Sequence, residues 1–276
     1  MEVNKQIIIP GEPIYYAQTL PVELKRVRIF PFSDIHYGNP LCSERHFSRY
    51  LAMLDLPENY GVLNGDLLEA VTKLSKGDIY NQSKTPQKQA KWIEEKLTPY
   101  KHKFLGMTMG NHEKRIYDLV GHDYLYDIAH TLNIPYRPEG LLLKISFGDN
   151  NNSTKGKPFV YWLYMTHGYG GARTKSAKAV KAERLSSWID ADVYIMSHDH
   201  VVNIAPDVYL SADPRTHEKD GFRVGKVRAK RKMLVKSGAF LKWGGYSEMG
   251  GFPPVDLEMP IITLYGEGKP RVKVEV

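Results

Sequence analysis

Five short polar segments of this 276-residue chain carry the kinds of side chain that bind divalent metal ions in proteins. They are Asp34-Ile35-His36, Gly65-Asp66-Leu67-Leu68-Glu69, Gly110-Asn111-His112-Glu113, Thr166-His167-Gly168 and Ser197-His198-Asp199-His200. A mixture of carboxylate, carboxamide and imidazole groups suits a pair of divalent transition metals. Two such ions about 4 Å apart activate a water molecule and hold a phosphate for in-line displacement. The segments therefore predict hydrolysis of phosphoester bonds.

The residue types suggest separate roles within this set. Gly65 lets the backbone bend so that Asp66 points inward, where its two carboxylate oxygens are suited to bridge two cations. Neutral oxygen and imidazole nitrogen would come from the other candidate ligands, Asn111, His167, His198 and His200.

His112 is expected to serve the reaction rather than to bind metal. It follows Asn111 and would point toward the substrate, where an imidazole can protonate the departing oxygen. Glu69 lies three residues after Asp66, and we expect it to accept a hydrogen bond from His112 and fix the orientation of that ring.

Each polar segment follows an apolar run that is predicted to be a β-strand. The predicted strands are 27–32, 60–63, 104–109, 159–165 and 192–196. Loops converge at the carboxyl ends of strands in α/β folds, so five such loops can bring their side chains together. Ligands two residues apart, such as Asp34 and His36, would lie on the same side of an extended chain.

Helical patterns separate several of these strands. Apolar residues recur at helical spacing in 87–97 and 176–189, and most of 117–132 has the same pattern. Further strands are predicted, at 141–147, 233–237, 260–265 and 271–276. Strand–helix units come first and strands dominate later, which indicates an α/β fold of two packed sheets flanked by helices.

The domain organisation is predicted to be a single domain over 26–276. Residues 1–25 are expected to be an irregular lead-in, because Pro10, Pro13 and Pro21 interrupt regular structure. A basic surface excursion is expected at about 206–232.

Composition and charge narrow the class of protein. Hydrophobic residues make up 42% and charged residues 25% of the chain, which is ordinary for a globular protein. No apolar stretch approaches about 18 residues, so no membrane-spanning helix is expected, and the first residues are a poor signal peptide. The single Cys42 excludes an intramolecular disulfide, and a cytoplasmic protein is predicted. The net charge of +7 favours acidic partners such as nucleic acid.

The ordered set of segments resembles the calcineurin-like metallophosphoesterases. That family's pattern is Asp-x-His, Gly-Asp-x-x-Asp/Glu, Gly-Asn-His-Asp/Glu, a lone His and Gly-His-x-His, and it matches in order from Asp34 to His200. Ser197 is a departure, because the family has Gly before the first histidine of the last motif. The resemblance covers roughly 26–265. It implies a four-layer αββα sandwich with the metals at the sheet edge. Mixed oxygen and nitrogen sites accept Mn²⁺, Fe²⁺ and Zn²⁺, and for the two divalent ions Mn²⁺ is the first expectation, with Fe²⁺ or Zn²⁺ as alternatives.

The resemblance also implies how the ligands are shared. One metal would be held by Asp34, His36, Asp66 and His200. The other would be held by Asp66, Asn111, His167 and His198. His112 would be the acid, paired with Glu69. The family commonly places an arginine near the substrate phosphate, and Arg115 is the candidate, although a surface arginine explains it as well.

Basic and aromatic residues favour nucleic acid as the phosphoester. Arg173, Lys175 and Lys178 follow His167 at the start of a predicted helix, whose N-terminus favours phosphate. A second basic run, 226–232, has five positive charges in seven residues. A solvated surface is the alternative for both runs, and for the second run it explains the charges at least as well. Late aromatic residues either stack bases or belong to the core, and they are Tyr169, Phe240, Trp243, Tyr246 and Phe252.

The predicted function is therefore a nuclease or nucleic-acid phosphodiesterase. A phosphomonoesterase acting on a phosphoprotein or nucleotide is the alternative, because the metal site does not define the substrate. A non-catalytic metal-binding scaffold is a second alternative, against which the completeness of the ligand set argues. DNA against RNA, exo against endo cleavage and the oligomeric state stay open.

Overall fold

The computed structural model describes residues 14–75, 78–150 and 156–276. The strands are β1 (Tyr15–Thr19), β2 (Arg26–Phe32), β3 (Asn59–Asn64), β4 (Phe104–Thr108), β5 (Leu141–Asn150), β6 (Lys157–Thr166), β7 (Val193–Met196), β8 (Val202–Lys219), β9 (Phe222–Ser237), β10 (Ile261–Tyr265) and β11 (Val272–Glu275). The α-helices are α1 (Glu44–Ala52), α2 (Pro86–Leu97), α3 (Asn111–Val120), α4 (Tyr124–Leu132), α5 (Lys175–Leu185) and α6 (Tyr246–Met249). Short 3₁₀ helices lie at Met53–Asp55 and Thr98–Lys103.

The first sheet has the order β11-β10-β2-β3-β4. Strands β2, β3 and β4 are parallel, with Phe32 opposite Leu63 and Asn64 opposite Thr108. Their carboxyl ends therefore meet at one edge, where the segments that start with Asp34, Asp66 and Asn111 leave the sheet. Strands β10 and β11 extend the other side of the sheet in antiparallel pairings.

The second sheet has the order β1-β5-β6-β7-β9-β8. Strands β6, β7 and β9 are parallel, so the segments with His167 and His198 also leave from a common edge. Strand β5 runs antiparallel to β6, and β8 runs antiparallel to β9.

The irregular lead-in expected over 1–25 is wrong for part of its length. Residues 1–13 lie outside the described residues, but Tyr15–Thr19 forms β1, which pairs in parallel with β5 from Tyr15 opposite Leu142 to Thr19 opposite Ser146. Pro21 lies beyond the end of this five-residue strand, so the ladder needs no N–H from it.

Alternation along the strands builds three apolar layers. In β6, Phe159, Tyr161, Leu163 and Met165 pack between the two sheets. Trp162 and Tyr164 point the other way, toward Ala182 and Leu185 of α5. The outer face of the first sheet is covered by α1, α2 and α4, through residues such as Phe47, Ile93 and Leu125. The four-layer αββα sandwich is thus confirmed.

Two regions differ in detail from the sequence expectations. The helical region 117–132 is two helices, because Gly121 ends α3 in a left-handed conformation at φ 71° and Asp123 caps α4 by accepting hydrogen bonds from the Leu125 and Tyr126 N–H groups. The basic excursion at 206–232 is the outer part of a long hairpin formed by β8 and β9. Among the described helices, none has the length and apolar character needed to cross a membrane.

Candidate metal centre

The loops that leave both sheets bring the predicted ligands into two adjoining groups. The first group contains Asp34, His36 and His200. His36 Nε2 lies 3.1 Å from His200 Nε2, and His200 Nε2 lies 3.2 Å from Asp34 Oδ1. Two imidazole nitrogens and a carboxylate oxygen thus face one point, although Asp34 and His200 leave different sheets.

The second group contains Asp66, His167 and His198, with Asn111 beside them. His167 Nε2 lies 3.1 Å from Asp66 Oδ2 and 3.2 Å from Asn111 Oδ1. Asp66 Oδ2 also lies 3.9 Å from His36 Nε2, so the same carboxylate oxygen borders both groups.

These separations fit ligands around divalent cations. Two atoms bound to one cation at about 2.0–2.2 Å are about 3–3.6 Å apart at ordinary coordination angles. The closest ligand pairs, at 3.1 and 3.2 Å, fall within that range. Asp34 Oδ1 and His198 Nδ1 are buried without a hydrogen-bond partner among the described residues, which is unusual for polar atoms inside a protein. The donor set therefore suits divalent metal ions.

Each carboxylate has one oxygen fixed by the backbone and the other turned toward the imidazoles. The His198 N–H donates to Asp34 Oδ2 at 3.2 Å, and the His112 N–H donates to Asp66 Oδ1 at 2.9 Å. The oxygens that border the two groups are the remaining ones, Asp34 Oδ1 and Asp66 Oδ2.

The imidazoles are oriented in the same manner, through the nitrogen that faces away from the centre. His36 Nδ1 lies 3.1 Å from Glu69 Oε2, and His167 Nδ1 lies 2.8 Å from the Asn64 carbonyl oxygen. Such partners fix the ring and leave Nε2 for a metal.

The backbone at the ligands is left-handed, not extended. Asp34, His36, Asp66, His198 and His200 have φ between 50° and 70°. This conformation costs free energy for residues with a Cβ atom, and it persists where surrounding contacts enforce it. Asp34 and His36 were expected to share one side of an extended chain. The chain is not extended there, so that reason is wrong, but both side chains do reach the same ligand group.

Glu113 is a buried anchor that the sequence interpretation missed. Its carboxylate accepts hydrogen bonds from the N–H groups of Asp66 (3.1 Å), Leu68 (2.8 Å) and Gly110 (3.2 Å). It thereby fixes the loop that carries Asp66. Gly110 is needed at this contact, because a Cβ atom there would overlap the backbone nitrogen and carboxylate of Asp66. The glutamate three residues after Gly110, a capping-box position, was the available signal.

A buried chain of hydroxyl and amide groups joins the two sheets beneath the centre. Ser33 Oγ lies 2.7 Å from Ser237 Oγ, which donates to Ser197 Oγ at 2.8 Å. Asn64 Nδ2 donates to Ser197 Oγ at 2.6 Å, and Thr108 Oγ1 donates to Asn64 Oδ1 at 2.7 Å. Ser197, the departure from the family pattern, makes contacts that a glycine could not make.

His112 lies at the edge of the centre, but its partner differs from the one expected. Its Nδ1 is 2.6 Å from the Glu69 main-chain oxygen, whereas the Glu69 carboxylate lies 3.8 Å away and hydrogen-bonds to His36. The expected pairing with the Glu69 side chain is wrong, because that carboxylate is closer to His36. His112 Nε2 is left 3.9 Å from Asp66 Oδ2, and the ring forms a third possible ligand group with His36 and Asp66.

The charges of this buried centre are strongly coupled. Burial disfavours the charged forms, but the neighbouring carboxylates raise the pKa of His36 to about 9 and that of His167 to about 10. Against the same effect of burial, His200 lowers the pKa of Asp34 to about 2. Burial lowers the pKa of His112 to about 4. Divalent cations would replace protons on His36 and His167, because a metal ligand must be deprotonated.

The basic residues beside the centre divide into two kinds. Lys178 is buried, and its Nζ donates to the Asp199 carbonyl at 2.9 Å. Lys181 Nζ donates to Asp199 Oδ1 at 2.8 Å, and Lys236 pairs with the other oxygen. With two further lysines, Lys178 holds the loop between His198 and His200, and it also lines the cleft, so its contact with substrate stays a prediction.

The other predicted substrate contacts lie on the surface or in the cleft. Lys175 is exposed at the first turn of α5. The Arg173 guanidinium lies 6.0 Å from the centre of the Phe252 ring, and Arg115 lines the cleft. This cleft of about 900 Å³ opens over His36, Asp66, Asn111, His112, His198 and His200.

Comparisons with known proteins give similar structures at low identity. No protein-family model matches the chain, and no curated protein matches it. A conserved uncharacterized protein from Streptococcus pneumoniae TIGR4, described as a predicted phosphoesterase, is 13% identical with a TM-score of 0.35, over 91% of this chain and 90% of that one. A metallophosphoesterase from Sphaerobacter thermophilus is 12% identical with a TM-score of 0.35, over 86% and 83%. A single mutant of Vps29 from Entamoeba histolytica is 15% identical with a TM-score of 0.29, over 78% and 96%. Similarity at this level does not define an activity. The activity must be inferred from the side chains of the centre.

Proposed function

We propose that this protein is a metal-dependent phosphoesterase that holds two divalent ions around Asp66. The observation that carries this proposal is the shared carboxylate oxygen, Asp66 Oδ2, which lies 3.1 Å from His167 Nε2 and 3.9 Å from His36 Nε2. The proposed ligands are Asp34, His36, Asp66 and His200 for one ion and Asp66, Asn111, His167 and His198 for the other. Mn²⁺ is the first expectation, and Fe²⁺ or Zn²⁺ are the alternatives.

The bound ions would supply an activated water and offset the negative charge of the phosphate. The protein's own groups set the geometry for that chemistry. Glu113 holds the Asp66 loop, and the carboxylate of Glu69 orients His36. Because these partners are in place before substrate arrives, little reorganisation is needed during the reaction.

His112 is the proposed proton donor to the leaving oxygen. Its Nδ1–H donates to the Glu69 main-chain oxygen, so the proton that it transfers must be on Nε2, and the donor would be the doubly protonated ring, which becomes neutral as the leaving oxygen is protonated. The ring lines the cleft, where a departing alkoxide can come within hydrogen-bond distance of it.

Nucleic acid is the proposed substrate. The β8–β9 hairpin supports this choice, because it carries exposed cationic side chains, Arg223, Lys226 and Arg231 among them. A two-stranded ribbon of this kind has the width that the major groove of DNA admits. The support from α5 is weaker than the sequence suggested, since Lys178 and Lys181 are engaged by Asp199.

A substrate panel tests the proposal directly. The protein, loaded with Mn²⁺, is incubated with 5′-labelled single-stranded DNA, duplex DNA and RNA, and with p-nitrophenyl phosphate as a monoester. We expect cleavage of at least one nucleic acid, lost on chelation and recovered with Mn²⁺. Turnover of the monoester alone would favour the phosphomonoesterase, and metal binding without hydrolysis of any ester would favour a scaffold.

A further inference from the structure

One wall of the cleft is apolar although it adjoins a charged centre. Leu41, Leu241, Trp243, Met249 and Phe252 line the cleft together with the candidate metal ligands. Trp243 is 42% exposed and Met249 is 84% exposed. Large apolar side chains that stay open to solvent beside a binding site often mark a surface that a ligand covers. We call these five residues the apolar wall.

The apolar wall is attached to the metal-binding loops. The Phe240 N–H donates to the Asp34 carbonyl at 3.0 Å, and the Phe240 carbonyl accepts from the Ser43 N–H at 2.7 Å. The Lys242 N–H donates to the Leu41 carbonyl at 3.0 Å. The ring of Phe240 itself is buried in the core against Phe32 and Phe47. A core residue therefore fixes the start of the wall at the position of a candidate ligand.

The two aromatic members of the wall hold each other in place. Trp243 Nε1 donates to the Phe252 carbonyl at 2.7 Å, and the Phe252 N–H donates to the Ser247 carbonyl at 2.9 Å. These bonds close the segment from 243 to 252, which contains α6. A flat group that enters the cleft would thus meet aromatic rings that are already positioned.

Positive charge accompanies the ring of Phe252. Arg173 and Lys178 lie 6.0 Å and 5.8 Å from the centre of that ring. An anionic ligand with a flat apolar part would therefore find complementary surfaces close together. The volume of about 900 Å³ is of the size of small-molecule sites, which hold about 300–1,000 Å³.

From this arrangement we infer that the apolar wall is a nucleoside subsite. It would take the base attached to the phosphate that lies on the metal centre, by stacking on Trp243 and Phe252. The inference rests on the proposed function and sharpens it, because it assigns the specificity for a nucleotide unit to named residues. It concerns the base next to the scissile bond and is independent of any contact made by the β8–β9 hairpin.

Two esters with a common leaving group test the subsite. Thymidine 5′-(p-nitrophenyl phosphate) and methyl p-nitrophenyl phosphate differ only in the group that is retained on phosphorus. For the Mn²⁺-loaded protein we expect a kcat/KM for the nucleoside ester that is at least about 10-fold higher. Trp243→Leu should reduce that ratio by about 5- to 100-fold, the range expected when a base no longer stacks on an aromatic ring.

Matched variants separate stacking from support of the loop. Trp243→Phe loses the hydrogen bond to Phe252 but keeps a flat ring, so it should retain most of the preference for the nucleoside ester. Trp188→Leu changes another exposed tryptophan, 61% accessible and outside the cleft, and should leave the ratio unchanged. The inference would be overturned if Trp243→Leu lowered kcat/KM equally for both esters. It would also be overturned if Trp243→Phe lowered the ratio of the two kcat/KM values as much as Trp243→Leu does.

Failure of the proposed function would be recognised separately. If the unaltered protein hydrolyses neither ester with any of the three metals, the phosphoesterase proposal fails. The subsite is then measured by titration calorimetry with thymidine 5′-monophosphate. Binding that is present in the unaltered protein and absent in Trp243→Leu supports the subsite, and absence of binding to the unaltered protein contradicts it.

Discussion

Charged side chains are dense both at the candidate metal centre and in the outer half of the β8–β9 hairpin. Their charges are balanced by buried partners at the centre and by exposed ion pairs in the hairpin. At the centre, Asp34 and Asp66 are fully buried, and each is bordered by imidazoles and a backbone N–H group. In the hairpin, Arg215 and Arg228 pair with Asp213 at 2.9 and 2.6 Å while they stay largely exposed. A buried charge without its partners costs several kcal/mol, whereas an exposed ion pair contributes about 0–1 kcal/mol.

The density of charged side chains in a region therefore does not reveal their role. The charges of the centre are fixed in one arrangement that suits cations, whereas the hairpin charges are exposed to solvent and accessible to a polyanion. Substitutions in the two regions should therefore have different effects. Those at the centre should reduce metal binding and the stability of the fold, and those in the hairpin should weaken salt-sensitive binding of a polyanion.

The largest effect is expected from Asp66→Asn. This change keeps the size of the side chain but removes the charge that both proposed ions share. Loss of a partner to a ligand already costs 10–100-fold in metal affinity, so loss of the shared ligand should cost more than about 100-fold. Metal content after dialysis and hydrolysis of a phosphodiester should both fall to background. Asp207→Asn in the hairpin is the control, and retention of two metal equivalents in Asp66→Asn would contradict the shared site.

His112→Ala should reduce the catalytic step without removing the metals. Loss of a positioned proton donor lowers kcat by about 10²–10⁴-fold. The measurement is kcat for esters whose leaving groups differ in pKa, together with metal content. The loss should be greatest for the ester with the poorest leaving group. A full rate would exclude the role as donor, and loss of metal would assign His112 to the ligands instead.

Glu113→Ala should destabilise the fold around the centre. The change leaves three N–H groups without their acceptor, and an unsatisfied buried group costs about 1–3 kcal/mol, so we expect a loss of at least about 3 kcal/mol. Urea unfolding in the presence of chelator measures it without the contribution of bound metal. Glu218→Ala, on the exposed hairpin, is the matched control. Equal stability of the two variants would show that the anchor is unimportant.

The smallest effect on stability is expected in the hairpin. Changing Arg223, Lys226 and Arg231 together to Gln should alter the free energy of unfolding by less than about 0.5 kcal/mol, because all three are exposed. The same variant should bind duplex DNA more weakly. Its slope of log K against log salt should be shallower by up to about 0.9 for each phosphate that the hairpin no longer neutralises. An unchanged slope would remove the hairpin from the nucleic-acid surface.

The strands beside the centre could be predicted because each contains a short apolar run that the sheet buries on both faces. In β3, all six residues of Asn59–Asn64 are buried, and the polar segment that follows is correspondingly easy to recognise. Strand β1 was missed, since its five residues alternate between exposed and half-buried positions and lie among prolines. The candidate ligands could be recognised in the sequence because they are polar residues that directly follow apolar runs.

The partners of those ligands could not be predicted, because they depend on backbone conformation and long-range contacts. The left-handed residues at 34, 36 and 66 decide which atoms meet, and nothing in their spacing indicates it. Glu69 orients His36 through contacts between two strand ends, while its main chain orients His112. Lys178 looked like a surface cation, because Asp199, its partner, lies 21 residues further along the chain.

Anomalous diffraction from crystals grown with Mn²⁺ would locate the two proposed ions directly. Two anomalous peaks are expected on either side of the Asp66 carboxylate, one beside Asp34, His36 and His200 and the other beside Asn111, His167 and His198. No peak at Asp66 in protein supplied with ample Mn²⁺, or ions bound only elsewhere on the chain, would contradict this expectation.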